Sequence, residues 1–252
     1  MGGDPEGIDL QSVVPWSHVG DLVRARASGH RPPPFVVGIA GPVSVGKSTL
    51  AARLLDDLAG LDGIAPVEVL GTDGFLFPND ELAARGLEMR KGFPESYDTG
   101  LIERTLDGLR TGREVSVPVY SHETYDIVPG GVRVLGRPGV LMLEGVNALQ
   151  FRARLDFALY VDAPVAAIEE WYVARLVELV ADAPPNSFYA GWSGFTPEQV
   201  DALARDIWRS INAVNLAEHI EPTRAVADVV VEKGPDHELL GVVLQPSGRG
   251  GR

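Results

Sequence analysis

The chain has 252 residues, 45% of them hydrophobic and 23% charged, enough for one large α/β domain with a full core. A formal net charge of −13 argues against any general electrostatic grip on nucleic acid or an acidic membrane, so an anionic ligand must be held by a local concentration of donors. With no cysteine, disulfides, thiolate metal sites and a thiol nucleophile are excluded.

Residues 1–33 read as an N-terminal extension. Residues 1–11 carry no ordering pattern, Pro15 to Ala27 suits a short amphipathic helix, and Arg31-Pro32-Pro33-Pro34 is a stiff lead-in to the first strand of the main domain. The N-terminus lacks a basic segment followed by an apolar one, and no apolar run approaches about 18 residues, so a cytoplasmic protein is expected. The main domain is expected over residues 34–240. Phe35 to Ala40 reads as a buried strand, and Thr49 to Leu58 places apolar residues at helical spacing. Between them stands Gly41-Pro42-Val43-Ser44-Val45-Gly46-Lys47-Ser48, a complete G-x-x-x-x-G-K-S phosphate loop, with Thr49 after it. Its N–H groups and the positive end of the following helix suit a polyphosphate, Lys47 can reach the β and γ phosphates, and the Ser48 hydroxyl can ligate Mg²⁺. The chain has only three lysines, and an accidental match is expected in fewer than about one such sequence in a hundred.

Val67 to Leu70 is the next strand, running into Gly71-Thr72-Asp73-Gly74-Phe75, and a polar, turn-rich segment from Pro78 to Gly100 precedes a helix over 101–109. Val115 to Tyr120 is extended and leads to a polar loop, Ser121 to Asp126. Val140 to Leu143 is a buried strand ending at Glu144, and Phe157 to Asp162 is another. Pro164 to Val180 reads as a long helix. Thr196-Pro197-Glu198, a cap residue, a first-turn proline and an acid, starts a helix running to about Ile220. Val226 to Glu232 is the expected final strand, and residues 241–252 read as a flexible tail. Strands alternating with helices, several of them uniformly apolar, indicate an α/β fold: a mostly parallel sheet with helices on both faces. Ligands in such sheets bind at the carboxyl ends of the strands, where the phosphate loop, Asp73 and Glu144 all fall.

Glu144 closes its strand as a Mg²⁺-holding acid would, the alternative being an ordinary strand-end carboxylate. Asp73 is placed to accept a proton from an attacking hydroxyl, although an Asp-Gly turn that caps its own backbone reads the same way. Arg90 and Lys91 are adjacent loop cations. Arg175 is either a neutraliser of transition-state charge or a surface residue of its helix, and His122 is either a proton donor to substrate or a hydrogen-bonded loop histidine. The five histidines are scattered and offer no zinc-ligand spacing.

Six segments, in order and at matching spacing, closely resemble the bacterial type I pantothenate kinases. They are the loop from Gly41 to Thr49, Thr72-Asp73-Gly74-Phe75-Leu76, Lys91-Gly92-Phe93-Pro94-Glu95-Ser96-Tyr97-Asp98, Pro118-Val119-Tyr120-Ser121-His122, Leu143-Glu144-Gly145 and Ile211-Asn212-Ala213-Val214-Asn215-Leu216. The resemblance spans about residues 34–237. It implies a P-loop kinase fold, ATP and Mg²⁺, a small-molecule acceptor, a homodimer, and transfer of the γ phosphate to the primary hydroxyl of pantothenate on the way to coenzyme A. By the same resemblance Asp73 is the base, Lys47 and Ser48 handle phosphate and metal, Arg175 orients the γ phosphate, and Tyr120, His122, Tyr172 and Asn212 contact pantothenate. The chain departs from the family pattern at Ala52, where an arginine involved in feedback by coenzyme A usually stands, and at Leu176 and Leu179, where aromatic residues usually line the acceptor pocket. A related kinase acting on another alcohol or a nucleoside, or a nucleotide-binding protein without transfer activity, stays open at this point.

Overall fold

A computed structural model describes residues 13–59 and 64–245; the expectations for residues 1–11 and 247–252 lie outside them. In chain order the elements are β1 (Val13–Val14), α1 (Ser17–Ala27), β2 (Phe35–Ala40), α2 (Lys47–Leu58), β3 (Val67–Gly71), α3 (Asn79–Ala84) and α4 (Thr99–Arg110). Then come β4 (Val115–Ser121), β5 (Asp126–Leu135), β6 (Val140–Glu144), β7 (Phe157–Asp162), α5 (Val165–Ala181), α6 (Pro197–Ile207), β8 (Val229–Lys233) and β9 (Leu239–Leu244). Every residue of β2 is buried, as are all but the last of β6 and β7. Strands apolar on both faces belong in the middle of a covered parallel sheet, and there they lie. The order is β1-β9-β8-β7-β2-β6-β3. The five strands from β8 to β3 run parallel, and β9 and β1 add an antiparallel edge. The chain visits β3 on one side of β2 and β7 on the other, so the crevice where successive connections diverge opens at the carboxyl end of β2, directly over the phosphate loop. Among the described residues no helix is long and apolar enough to cross a membrane.

Two strands depart from the expectation. No strand is expected between Asp126 and Val140, yet β5 covers Asp126–Leu135 and runs through Val128-Pro129-Gly130-Gly131. The register with β4 jumps from Pro118↔Val132 to Tyr120↔Ile127, and the turn-like residues bulge out of the ladder. The expected tail loses its first residues to β9, which forms a hairpin with β8; a glycine inside the run Leu-Leu-Gly-Val-Val-Leu weakens the strand signal. The helix expected from Thr196 is present, with a full capping box between Thr196 and Gln199. It remains regular only to Ile207 and continues through π-helical turns at Trp208–Asn212 and Leu216–Ile220. Such turns recur at functional sites, and the first of them ends on Asn212.

The main core surrounds the sheet, and a second, smaller one lies between α5 and α6, built from Val173, Leu176, Val180, Val200 and Ala204. Leu176 is therefore a packing residue of the helix pair. At the amino ends of the strands, paired aspartates tie neighbouring strands together. The Asp156 carboxylate accepts from Val36 N–H and Arg110, both at 2.8 Å. Asp228 accepts from Ala158 N–H at 2.7 Å and from Arg152 at 3.1 Å. Asp228→Ala leaves a buried strand N–H and a guanidinium without their acceptor. It is expected to lower the unfolding free energy by about 2 kcal/mol, seen as a lower urea midpoint at unchanged slope.

Candidate active site

The phosphate loop joins β2 to α2 in a conformation that glycine makes possible. Gly46 caps α2 in the left-handed region at φ 92°, and Ser44, also left-handed at φ 62°, helps turn the chain. At Gly41 a Cβ would lie 2.4 Å from the Val161 carbonyl oxygen, so the loop can hug β7 only without a side chain there. Val45 is buried beneath the loop, Val43 is half-buried, and Thr49 is exposed on the first turn of α2. Lys47 is only 8% exposed, and its ammonium donates to the Pro42 carbonyl at 2.9 Å, spanning the loop from inside. Ser48 Oγ donates to Glu144 Oε2 at 3.2 Å. Glu144 reaches this position because β6 pairs with both neighbours, setting it level with Ile39 on β2 and Gly71 on β3.

One residue past Thr72, on the single 3₁₀ turn Thr72–Phe75 after β3, Asp73 comes to the same rim. Its Oδ2 is 3.9 Å from His122 Nε2. Burial lowers the pKa of Lys47; Glu144 and then Asp73 oppose that shift, and Arg175 adds to it. All three charges therefore lie within electrostatic reach of the loop lysine. Arg175 is exposed on α5, and among the described residues it has no hydrogen bond or ion pair of its own, in contrast to Arg205 nearby, which is fully engaged with Glu170 and Asp201.

Next to Asp73 is an aromatic wall. The Tyr120 and His122 rings meet edge to face at 5.2 Å, Tyr120 meets Tyr125 at 6.2 Å, and Tyr125 stacks on Phe188 at 4.6 Å. Burial raises the pKa of Tyr125, and Tyr172, Tyr189 and Asp73 add to the shift. Burial likewise raises Tyr172, with the Asn212 side chain offsetting part of the effect. The structure thus brings the phosphate, metal and base candidates Lys47, Ser48, Glu144 and Asp73 to one rim, with Tyr120 and His122 beside Asp73 and Tyr172 beside Asn212; Arg90, the other loop cation, pairs instead with Glu95.

Several residues here have no assignment from sequence. Lys91 lies between the two groups, donating to Asn79 Oδ1 at 2.6 Å and to the Tyr125 carbonyl, with the Tyr125 ring 4.1 Å away. Burial lowers its pKa to about 8, against the opposing pull of Asp126 and Asp73. Tyr125 presents that carbonyl through a left-handed backbone at φ 53°. Asn79 N–H donates to Asp126 at 2.9 Å and Asn215 Nδ2 to the Gly92 carbonyl at 2.9 Å, so the 78–100 segment is pinned from both sides. The sequence marks Lys91 as a loop cation that opens the Lys91–Asp98 segment but gives it no role; nothing in the sequence points to Phe188, Tyr189 or Trp192.

Residues 36–175 match the Phosphoribulokinase / Uridine kinase family. A pantothenate kinase from Mycolicibacterium smegmatis is 46% identical over 218 residues, 83% of this chain and 70% of the relative. One from Chelativorans sp. is 43% identical over 228 residues, 84% and 72%. Among solved structures, D-glycerate 3-kinase from Cryptococcus neoformans superimposes with a TM-score of 0.65 at 15% identity, over 90% of this chain and 98% of that one. Phosphoribulokinase from Rhodobacter spheroides superimposes with a TM-score of 0.51 at 11% identity, covering 79% and 70%. These two likenesses bear on the fold.

Proposed function

The chain belongs to the pantothenate kinases of the phosphoribulokinase / uridine kinase family, and from that premise we propose that it transfers the γ phosphate of ATP to the primary hydroxyl of pantothenate, giving 4'-phosphopantothenate and ADP. The observation that carries the reaction type is the rim on which the buried Lys47 ammonium spans its loop to the Pro42 carbonyl and Ser48 Oγ meets Glu144 at 3.2 Å, with Asp73 on the turn that follows β3. A cradle for polyphosphate, carboxylates for metal and proton, and a guanidinium that makes no ion pair among the described residues suit phosphoryl transfer to an alcohol.

The polyphosphate rests on the N–H groups of residues 41–48 and the N-terminus of α2. Ser48 Oγ and the Glu144 carboxylate, 3.2 Å apart, are hard oxygen donors of the kind Mg²⁺ takes, one or two from protein and the rest from phosphate and water. The ion would neutralise charge on the transferring group. Asp73 accepts the proton of the acceptor hydroxyl as its oxygen bonds to phosphorus and the bond to ADP breaks. Arg175, which pairs with no carboxylate among the described residues, is available to the γ phosphate. Tyr120, His122, Tyr172 and Asn212 offer donors and acceptors to the amide, secondary hydroxyl and carboxylate of pantothenate.

Purified protein with ATP, Mg²⁺ and pantothenate is expected to release ADP in step with 4'-phosphopantothenate, followed by product mass. Turnover on a nucleoside or another alcohol, with none on pantothenate, would reassign the acceptor. ATP binding without any phosphorylated product would reject transfer altogether.

A further inference from the structure

The chain has three lysines and otherwise uses arginine as its cation. Lys47 lies inside the phosphate loop, and Lys91 donates to Asn79 and the Tyr125 carbonyl. The third, Lys233, ends β8 and is only 7% exposed. Its ammonium lies against the outer side of the loop, donating to the Val45 carbonyl at 2.9 Å, and a Cβ on Gly46 would come within 2.9 Å of it. His237 Nδ1 lies 3.4 Å away, the Trp171 ring 5.2 Å away, and Trp171 stacks on His237 at 3.9 Å while donating from Nε1 to the Pro235 carbonyl. Among the described residues no carboxylate forms an ion pair with Lys233.

The Val45 carbonyl and the Gly46 N–H belong to one planar trans peptide and point in opposite directions. Whatever holds the carbonyl outward aims the N–H inward, and a phosphate loop functions through N–H groups aimed at the anion. A buried cation without a carboxylate partner is also unfavourable until an anion comes near, and the nearest place for one is across the loop. We propose that Lys233 is a positioning residue for nucleotide binding: it fixes the Val45–Gly46 peptide with its N–H toward the polyphosphate and supplies an uncompensated positive charge behind the loop. The inference rests on the nucleotide half of the proposed function and is independent of the acceptor.

Binding of a non-hydrolysable ATP analogue with Mg²⁺, measured by calorimetry without any acceptor, therefore tests it separately from pantothenate turnover. Lys233→Met is expected to raise the Kd of the analogue on the order of tenfold and the KM for ATP in parallel, with kcat and the KM for pantothenate within about twofold. Lys233→Arg, which keeps a donor and the charge, is expected to recover most of the affinity. Unchanged analogue affinity in Lys233→Met overturns the proposal. So does a loss shared equally by ATP and pantothenate, with a lowered Tm and no recovery in Lys233→Arg, because that pattern belongs to general packing. If Lys233→Met does not fold, the same measurements on Lys233→Gln decide by the same criteria.

Discussion

Asp73→Asn is expected to lower kcat by on the order of 10²-fold or more while the affinity for ATP stays within about twofold. The substitution keeps the size of the side chain and an oxygen that can face His122, 3.9 Å away in the present structure, and removes only the capacity to take a proton. Asp73 lies at the rim, partly open, on a turn that β3 fixes and that the buried Thr72 and Phe75 anchor on either side, so the change should leave the fold intact. Steady-state kinetics with saturating ATP, together with calorimetric binding of an ATP analogue, check both halves. An activity within tenfold of the unsubstituted protein would remove Asp73 from the base role. A matching loss of ATP affinity would assign it to nucleotide binding instead. The alternative, an Asp-Gly turn that acts as a self-capping device, predicts a third outcome, lowered stability with kcat preserved in the folded fraction.

The phosphate, base and metal candidates are legible in the sequence because each follows or closes a strand whose apolar run declares it, whereas Arg175, inside α5, is marked only by the family resemblance. Lys47 and Ser48 follow β2, Asp73 follows β3, and Glu144 closes β6; strand ends in a parallel sheet share one rim. The local signal and the tertiary placement agree there. Elements whose form depends on partners are not legible. β5 runs through Pro129 and two glycines because the bulge opposite β4 absorbs them, a compensation that exists only once the strands pair. β9 depends likewise on β8. By the family resemblance Leu176 stands where an aromatic residue usually lines the acceptor pocket, yet on α5 it turns into the small core with Val200 and Ala204, a choice made by α6 and invisible in the spacing of α5 alone. Lys233 falls between the two cases. Its rarity as a lysine marks it, but only the return of β8 alongside β7 carries it to the back of a loop 188 residues earlier in the chain.

Lys47→Met carries the other large expected effect. In this structure the Lys47 ammonium is enclosed within the loop and held by a single carbonyl, with burial as the leading influence on its pKa, which lies below the ordinary lysine value. A lysine whose pKa is lower folded than unfolded disfavours the folded state at every pH below the folded pKa, and the penalty fades as pH rises through the interval up to the unfolded pKa. At pH 7 the ammonium therefore works against the stability of the nucleotide-free protein, and its replacement by an apolar side chain of similar length is expected to leave Tm unchanged or higher. ATP should reverse that order. Ligand stabilisation grows as RT ln(1 + [L]/Kd), about 2.7 kcal/mol at a hundredfold excess over Kd, so a variant that no longer pairs with the β and γ phosphates loses most of its ATP-dependent rise in Tm. Its kcat/KM for ATP is expected to fall on the order of 10²- to 10³-fold. An ATP-dependent Tm rise equal to that of the unsubstituted protein would contradict the assignment of Gly41–Ser48 as the phosphate site. A large drop in Tm without nucleotide would instead show that Lys47 holds the loop together through Pro42, and that its burial is structural rather than a charge kept in reserve for phosphate.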